Sequence, residues 1–385
     1  MKGTICMRIR RNILILYSVA LLQGMVFYGP IATLYRRAAG VGILEITVIE
    51  AISVALAVLL ELPWGILADR IGYRRTLVFC NALFFLSKVV FWRADGFGAF
   101  LLERVLLAVV LAGISGVDAS VLFLSCQKEE AQGVFGTYNN LATAGLLVAA
   151  GVYAIFVGDD YRLAGLLTVL SYALAALLSL GIWEVRPETP RAGRAAFREA
   201  LRALFGDGRY LLFLVGAALL AETNQTITVF LSQLQYAACG MGSAAMGAAY
   251  VATTLAGFLG GFSARLTRRL SARWFGILLY ALAALVCLAL SWTRLALVSV
   301  GAIVLLRASA SLFQPLSTFV QSARVKGADR ATALSANAVV IDAVAISTNL
   351  AFGGAAKRSL SGAMLLGAAF SIAGLLFYAK THSEG

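Results

Sequence analysis

Twelve long apolar stretches, separated by short polar breaks, constrain this chain more than any other feature of its sequence. They run at 12–30, 41–67, 76–92, 96–122, 131–157, 161–183, 210–236, 241–265, 272–291, 294–322, 331–354 and 358–379. A helix needs about 20 mainly apolar residues to cross the hydrocarbon core of a bilayer, and the stretches are close to that length or longer. The sequence therefore predicts an all-α polytopic membrane protein with 12 transmembrane helices.

Composition agrees with this prediction, because the chain is 61% hydrophobic and only 13% charged, unlike water-soluble domains. It carries neither a phosphate-binding loop of the type G-x-x-x-x-G-K-[ST] nor a CxxC pair, so we expect no ATP-driven step and no zinc site. We predict no metal and no cofactor. The residues of the usual metal-ligand types, Cys and His, are scattered: Cys6, Cys80, Cys126, Cys239, Cys287 and His382.

Basic residues in the breaks indicate how the helices are oriented. With twelve spans, 22 Lys and Arg residues fall on the side of the N-terminus and seven on the other side, the seven being Arg36, Arg37, Arg93, Arg162, Arg294, Lys357 and Arg358. The side richer in cations is the cytoplasmic one. We therefore expect both termini in the cytoplasm, in a bacterial inner membrane, and the net charge of +13 calls for no nucleic-acid partner.

The longest break divides the chain into two halves. We predict an N-terminal six-helix bundle at 1–185, a cytoplasmic linker at 186–209 and a C-terminal six-helix bundle at 210–385. Within the linker, 191–205 has the spacing of an amphipathic helix that lies on the anionic inner leaflet; the alternative is a solvated linker. The stretch from Gly260 to Arg269 repeats the one from Gly65 to Arg75 in degenerate form, and Arg265 takes the place of Asp69.

A short motif at the end of the second stretch carries a family resemblance. It contains Gly65, Asp69, Arg70, Gly72, Arg74 and Arg75. This pattern resembles the loop G-x-x-x-D-R-x-G-R-R/K of the major facilitator superfamily, although Tyr73 stands where the family usually has Arg or Lys. Glu61-x-Pro63 and Ser115-Gly116-x-Asp118 are similar to an exporter-like branch of that superfamily.

The resemblance implies a fold and a role for the motif. The fold is two pseudo-symmetric six-helix bundles around a central site, and the family's loop latches them in one conformation. It implies that Asp69 accepts hydrogen bonds from a neighbouring helix N-terminus and that the motif gates rather than recognises a solute. Gly72 permits the turn. Topology alone would suffice to explain Arg70, Arg74 and Arg75.

Ionisable residues inside the apolar stretches indicate a water-accessible cavity, because each costs about 2.5–3.5 kcal/mol on insertion scales. The set comprises Glu50, Glu61, Lys88, Glu103, Arg104, Asp118, Glu222, Arg307 and Asp342. Burial raises a carboxyl pKa toward neutrality. We therefore take Asp118, Glu222, Asp342 and Glu50 as candidates for proton coupling; for Asp118 an ion pair with a loop arginine is an equal alternative.

Polar stripes indicate which helices line the cavity. In stretch 10, steps of four, three, four and three residues place a polar stripe on one helix face, either as a cavity wall or as interhelical hydrogen bonding. Stretch 7 is polar all round, as in a broken helix. In stretch 4, Arg104 and Asp118 lie about 21 Å apart along a continuous helix. The solute-contact candidates are Arg104, Gln23, Asn224, Gln225, Arg307, Ser311 and Gln314; Thr318 and Gln321 complete the stripe of stretch 10.

The leading hypothesis is a secondary active transporter that moves a small organic solute by alternating access, with proton-coupled efflux favoured by the exporter-like motifs. The alternatives are an uptake permease for an organic anion, suggested by Arg104 and Arg307, a lipid flippase, and a non-transporting sensor on the same fold. We find no constellation typical of an enzyme. The expected partners are the solute, protons and the bilayer, and the expected state is a monomer.

Overall fold

The computed structural model describes residues 2–127, 130–158, 160–185, 194–324 and 330–381. Within its helices the side chains at 2–9, 62, 65, 66, 69, 131, 132, 194–197, 200, 322, 323 and 330–335 are not described. In this part of the chain, 12 helical segments are long and apolar enough to cross a membrane. They are spans 1 to 12: Arg10–Ala38, Ile43–Glu61, Tyr73–Arg93, Gly96–Leu124, Gly133–Val157, Tyr161–Ser179, Gly208–Ala238, Ser243–Leu270, Ala272–Trp292, Ala296–Gln321, Ala336–Arg358 and Leu360–Thr381.

The helices divide into two compact units. Unit 1 comprises Met1–Val41, Ile52–Pro190 and Ser243–Ala248; unit 2 comprises Gly42–Ala51, Arg191–Gly242 and Ala249–Gly385. The first α-helices are Lys2–Gly24, Ala32–Ala38, Ile43–Ile71, Tyr73–Arg93, Gly96–Ile114, Val117–Leu124, Ala131–Val152 and Tyr161–Ser179. Those that follow are Arg194–Gly206, Gly208–Gln225, Ser232–Ala238, Ser243–Ala256, Ser263–Trp292, Ala296–Arg324, Arg330–Arg358 and Leu360–Thr381. Of the linker, 186–193 lies outside the described residues.

Several spans are interrupted near their middle. Span 1 stops being α-helical after Gly24 and resumes at Ala32 through a short 3₁₀ turn. Span 4 breaks at Gly116, which has a φ of +73° that glycine adopts at no steric cost. Arg104 and Asp118 therefore do not lie on one continuous helix, and the 21 Å separation expected for them does not apply.

Buried charges hold unit 1 together where spans 1, 3 and 4 meet. The Glu103 carboxylate is 1% exposed and lies 3.4 Å from Lys88 Nζ and 3.9 Å from Arg36 Nη2. Rings of Phe91 and Phe100 face the Arg36 guanidinium. Placing Arg36 in an external loop was therefore wrong: the helix Ala32–Ala38 continues span 1 past the predicted end and carries this arginine into a buried ion-pair network.

The turn between spans 2 and 3 depends on a glycine. Gly72 has φ +98° and ψ 149°, a region open almost only to glycine. The Glu184 carboxylate accepts hydrogen bonds from the backbone N–H groups of Tyr73 and Arg74, at 2.8 and 3.5 Å. A Cβ at position 72 would lie 2.6 Å from Glu184 Oε2. A carboxylate from the end of span 6 thus caps span 3, where the free N–H groups favour negative charge.

The corresponding turn between spans 8 and 9 reproduces this backbone at a serine. Ser271 has φ +62° and ψ 154°, and it is the only described residue other than glycine with a positive φ. When Ser271 is aligned with Gly72, Arg268 aligns with Asp69, Arg269 with Arg70 and Arg273 with Arg74. The degenerate repeat is therefore present, but the sequence alignment that paired Arg265 with Asp69 is wrong by three residues.

Candidate functional site

A cavity of about 370 Å³ lies between spans 7 and 10 within unit 2. Its wall carries a carboxylate, a guanidinium and several amide and hydroxyl groups among small apolar residues. The candidates from the sequence that line it are Glu222, Asn224, Gln225, Arg307, Ser311 and Gln314, joined by Thr318 and Gln321 of the same stripe. The polar stripe of span 10 thus faces a cavity rather than lipid. A mostly apolar pocket with a few convergent polar groups is typical of a small-molecule site.

Span 7 changes its helical geometry beside this cavity. The α-helix Gly208–Gln225 passes into a π-helical turn at Thr226–Leu231 before Ser232–Ala238 resumes α-helical geometry. π-Helical turns are rare in proteins, and those that do occur are often found at functional sites. The expectation of a broken span 7 is therefore correct in part: the helix is continuous, and its irregular turn follows directly after Glu222, Asn224 and Gln225.

Two glycines of span 8 let its backbone approach the cavity wall. A Cβ at Gly257 would lie 3.3 Å from Arg307 Nη2, and one at Gly260 would lie 2.8 Å from the Ser311 carbonyl oxygen. The guanidinium of Arg307 therefore rests on the bare backbone of the 3₁₀ turn Gly257–Phe262. Absence of a side chain at Gly257 leaves the space that this guanidinium occupies.

Three of the four candidate carboxylates come together in unit 2. Glu222 lies within electrostatic range of both Glu50 and Asp342. Near the start of span 2, Thr47 packs closely against Gly353 of span 11, where there is no room for a Cβ. Glu222 and Arg307 line the same cavity, yet neither forms an ion pair within the described part of the chain.

The other candidates belong to unit 1 and are not among the residues that line this cavity. The Tyr138 hydroxyl donates a hydrogen bond to Asp118 Oδ2 at 3.1 Å, which ties span 4 to span 5. Gln23 Nε2 donates to Asn81 Oδ1 at 2.6 Å. Arg104 Nε lies 3.7 Å from Glu103 Oε2. The first two contacts join helices within unit 1, whereas Arg104 and Glu103 are neighbours on the helix Gly96–Ile114.

The gating motif is described in part. Gly65 and Asp69 lie in helix Ile43–Ile71, but their side chains are outside the described residues, so the expected latch at Asp69 stays a prediction. Arg70 and Arg75 are exposed. Arg74 Nη2 donates to the Leu180 carbonyl oxygen at 3.4 Å, which ties this loop to the end of span 6.

Sequence reasoning missed Glu184 and Gly257. Glu184 stands in the break after stretch 6, where nothing in its local pattern links it to a loop 110 residues earlier. Gly257 is one of 37 glycines, and only the position of Arg307 singles it out.

The comparisons with known proteins agree with this architecture. The family model of the Major Facilitator Superfamily matches residues 13–349, and the chain belongs to this family of transporters. No curated protein matches the sequence. Among solved structures, the nucleoside transporter NupG (D323A mutant) superposes with a TM-score of 0.81 at 14% identity, covering 96% of this chain and 100% of NupG.

A second structural neighbour has the same fold. It is a bacterial homologue of the human lysosomal transporter Spinster in an inward-facing and unoccupied conformation. Its TM-score is 0.71 at 16% identity, and the superposition covers 98% of this chain and 95% of the homologue. Likeness at this identity establishes the twelve-helix transporter fold, which the sequence predicted, and not a solute.

Proposed function

We propose that this protein is a proton-coupled secondary transporter of a small polar organic solute, which it exports by alternating access. One observation carries the proposal: Glu222 and Arg307 line one cavity of about 370 Å³ without pairing within the described residues. Charges at membrane depth are retained when paired, hydrated or used. A cavity of this size suits a small solute.

In this proposal Glu222 carries the coupled proton. An ionised carboxylate at membrane depth is costly, and the neighbouring carboxylates of Glu50 and Asp342 add like charge. Glu222 faces the cavity and its two neighbours do not line it, so Glu222 is the member of the group that meets both solute and water. The export direction rests on the resemblance of Glu61-x-Pro63 to the exporter-like branch.

The experiment begins with a ligand search and ends with flux. A thermal-shift screen of the purified protein against metabolites and drugs identifies solutes, because binding to the native state stabilises it. The proteoliposomes used to measure flux contain a pH-sensitive dye. A gradient of each hit is expected to drive protons across the membrane in the direction opposite to the solute flux. Glu222→Gln should bind the hit and lose proton movement, whereas Glu130→Gln, at the surface beside Arg10, should keep it. Solute flux without proton movement in the unmodified protein would refute coupling.

A matched pair of glycine variants tests the solute site. Gly257→Ala adds a methyl group against the Arg307 guanidinium, whereas Gly301→Ala adds one where no atom lies within 4 Å. We expect Gly257→Ala to weaken binding of the hit about tenfold, since a displacement of tenths of an ångström disturbs a bidentate contact. Equal effects of both variants on binding would show that Arg307 does not contact the solute.

A second candidate function is uptake of an organic anion, favoured by the guanidinium on the cavity wall. Arg307→Gln distinguishes the two candidates. For an anionic solute this variant loses binding and a neutral amide analogue regains it, whereas a neutral polar solute, which only accepts hydrogen bonds from Arg307, loses binding about tenfold, as expected for Gly257→Ala. Inward and outward gradients of the same solute in oriented vesicles then give the direction of net transport.

A further inference from the structure

A second cavity, of about 570 Å³, lies at the end of span 8 in unit 2. Its lining is Gly261, Phe262, Ala264, Arg265, Arg268 and Arg269, and none of these residues lines the cavity between spans 7 and 10. Half of them are arginines. Unlike the first cavity, it stands at the end of a span, and the proposed transport function does not use it.

The charge around this cavity is one-sided. No Asp or Glu occurs between Glu222 and Asp329, so spans 8 and 9 and the turn between them have no acidic residue of their own. None of the three lining guanidinium groups forms an ion pair in the described part of the chain. Asp207, an acid described elsewhere in unit 2, pairs with Arg324 instead. Like charges around one cavity repel each other, and an anion from outside the chain relieves that repulsion.

The position along the span matches the depth of lipid phosphates. Span 8 has 28 residues, about 42 Å of helix, against a bilayer of about 40–45 Å including headgroups. Arg265, Arg268 and Arg269 fall in its last six residues. On the preceding turn, Phe258 and Leu259 expose 46% and 39% of their surfaces, and these apolar side chains suit acyl chains better than water.

We propose that this cavity binds the phosphate of an anionic phospholipid. Planar guanidinium groups bind phosphate oxygens through paired, charge-assisted hydrogen bonds, and several of them around one cavity suit a phosphodiester. The acyl chains run beside Phe258 and Leu259. The positive-inside bias explains why arginines lie on this side of the membrane. It does not explain why they line a cavity or why acidic residues are missing around them.

The test counts retained lipids on the full-length protein. Protein in nanodiscs of phosphatidylcholine with a minor share of phosphatidylglycerol is released into the gas phase, and native mass spectrometry counts the bound lipids. Each surface arginine is expected to contribute about fivefold in affinity for an anionic lipid. The triple variant should therefore weaken phosphatidylglycerol retention about hundredfold; it combines Arg265→Gln, Arg268→Gln and Arg269→Gln. Arg273→Gln is the matched control, because Arg273 is exposed in the same turn and does not line the cavity.

Three outcomes overturn the proposal. If Arg273→Gln weakens retention as much as Arg268→Gln, diffuse charge and not the cavity holds the lipid. Retention of phosphatidylcholine and phosphatidylglycerol in proportion to their shares of the nanodisc would show that the cavity has no preference for an anion. Displacement of phosphatidylglycerol by inorganic phosphate alone assigns the cavity to a free ion. The single variants are measured beside the triple one, with melting temperatures in lipid-free detergent, so that misfolding of the triple variant leaves the proposal testable.

Discussion

The turn after span 2 and the turn after span 8 have the same backbone shape and opposite electrostatic designs. Gly72 and Ser271 occupy matching positions with φ of +98° and +62°. In the first turn, Glu184 supplies a carboxylate to the start of span 3, and Arg74 is bonded to the end of span 6. In the second turn, the equivalent of Asp69 is Arg268, and three arginines line a cavity without a described acidic partner.

The difference shows how a duplicated loop divides its tasks. In the first turn, the backbone N–H groups of Tyr73 and Arg74 and the Arg74 guanidinium donate hydrogen bonds to acceptors of unit 1. Glycine occupies the position with a positive φ. The second turn keeps the shape, accepts strain at a serine, and leaves its cations available to an external anion. The first is therefore expected to matter for the stability and gating of the protein, and the second for its association with lipid.

The largest expected effect comes from Gly72→Ala. The variant places a Cβ in a region open almost only to glycine, at about 1–3 kcal/mol, and it also moves the Glu184 carboxylate, which lies 2.6 Å from the new Cβ position. We expect a loss of about 3 kcal/mol, seen as a lower melting temperature in detergent. Ser271→Ala is the control, because it changes no backbone requirement; equal losses in both variants would contradict the comparison.

Glu184→Ala should have the next largest effect. It removes the carboxylate that accepts hydrogen bonds from the N–H groups of Tyr73 and Arg74. Loss of a helix N-terminal cap costs about 0.5–2 kcal/mol, so we expect about 1 kcal/mol in thermal unfolding. Glu184→Gln retains an acceptor and should recover part of the loss. No change in either variant would mean that the first turn does not depend on this carboxylate.

Asp207→Asn tests whether Asp207, one of the described acidic residues of unit 2, serves span 7 rather than the second turn. Its carboxylate accepts a hydrogen bond from the Tyr210 N–H at 3.0 Å, and this bond, with the Arg324 guanidinium, holds the pKa of Asp207 below its usual range. A lowered native pKa stabilises the fold above the unfolded value of about 4 and loses that effect as pH falls through the native value.

The unmodified protein should therefore be more stable than Asp207→Asn at neutral pH, by less than about 1 kcal/mol, and the difference should shrink as pH falls from about 4 through the native pKa of Asp207. Melting curves across this pH range measure the effect. Phosphatidylglycerol retention should be unchanged in the variant, because Asp207 pairs with Arg324 and does not line the cavity of the second turn. A stability difference that grows on acidification would reverse the sign and exclude this role.

The smallest expected effect is a gain from Ser271→Gly. Relief of a φ of +62° at a non-glycine residue should return about 1 kcal/mol, the low end for such strain, and the added backbone freedom of glycine removes about half of it. The net gain should be about 0.5 kcal/mol, measured as a slightly higher melting temperature. A destabilised Ser271→Gly would show that the second turn is held by side-chain contacts and carries no strain.

Most of the architecture was predictable from the residues. Span number follows from apolar length, because a bilayer accepts only helices of about 20 apolar residues, and the motif from Gly65 to Arg75 pointed to the family that the comparison establishes. The stripe from Arg307 to Gln321 was predictable as one helix face, since its steps follow the helical period. The ends of spans were less predictable, as the burial of Arg36 shows.

The sequence by itself determined that this chain crosses a membrane many times, and which residues are too polar to face lipid. Both follow from transfer free energies that depend on residue type and spacing alone. Only the tertiary structure decided that Glu222 and Arg307 share a cavity, that Glu184 caps a helix begun more than 100 residues earlier, and that Arg268 matches Asp69. These facts depend on which helices approach each other, and that is set by close packing at positions such as Gly257 and Gly72, where the missing side chain is visible only beside its neighbour.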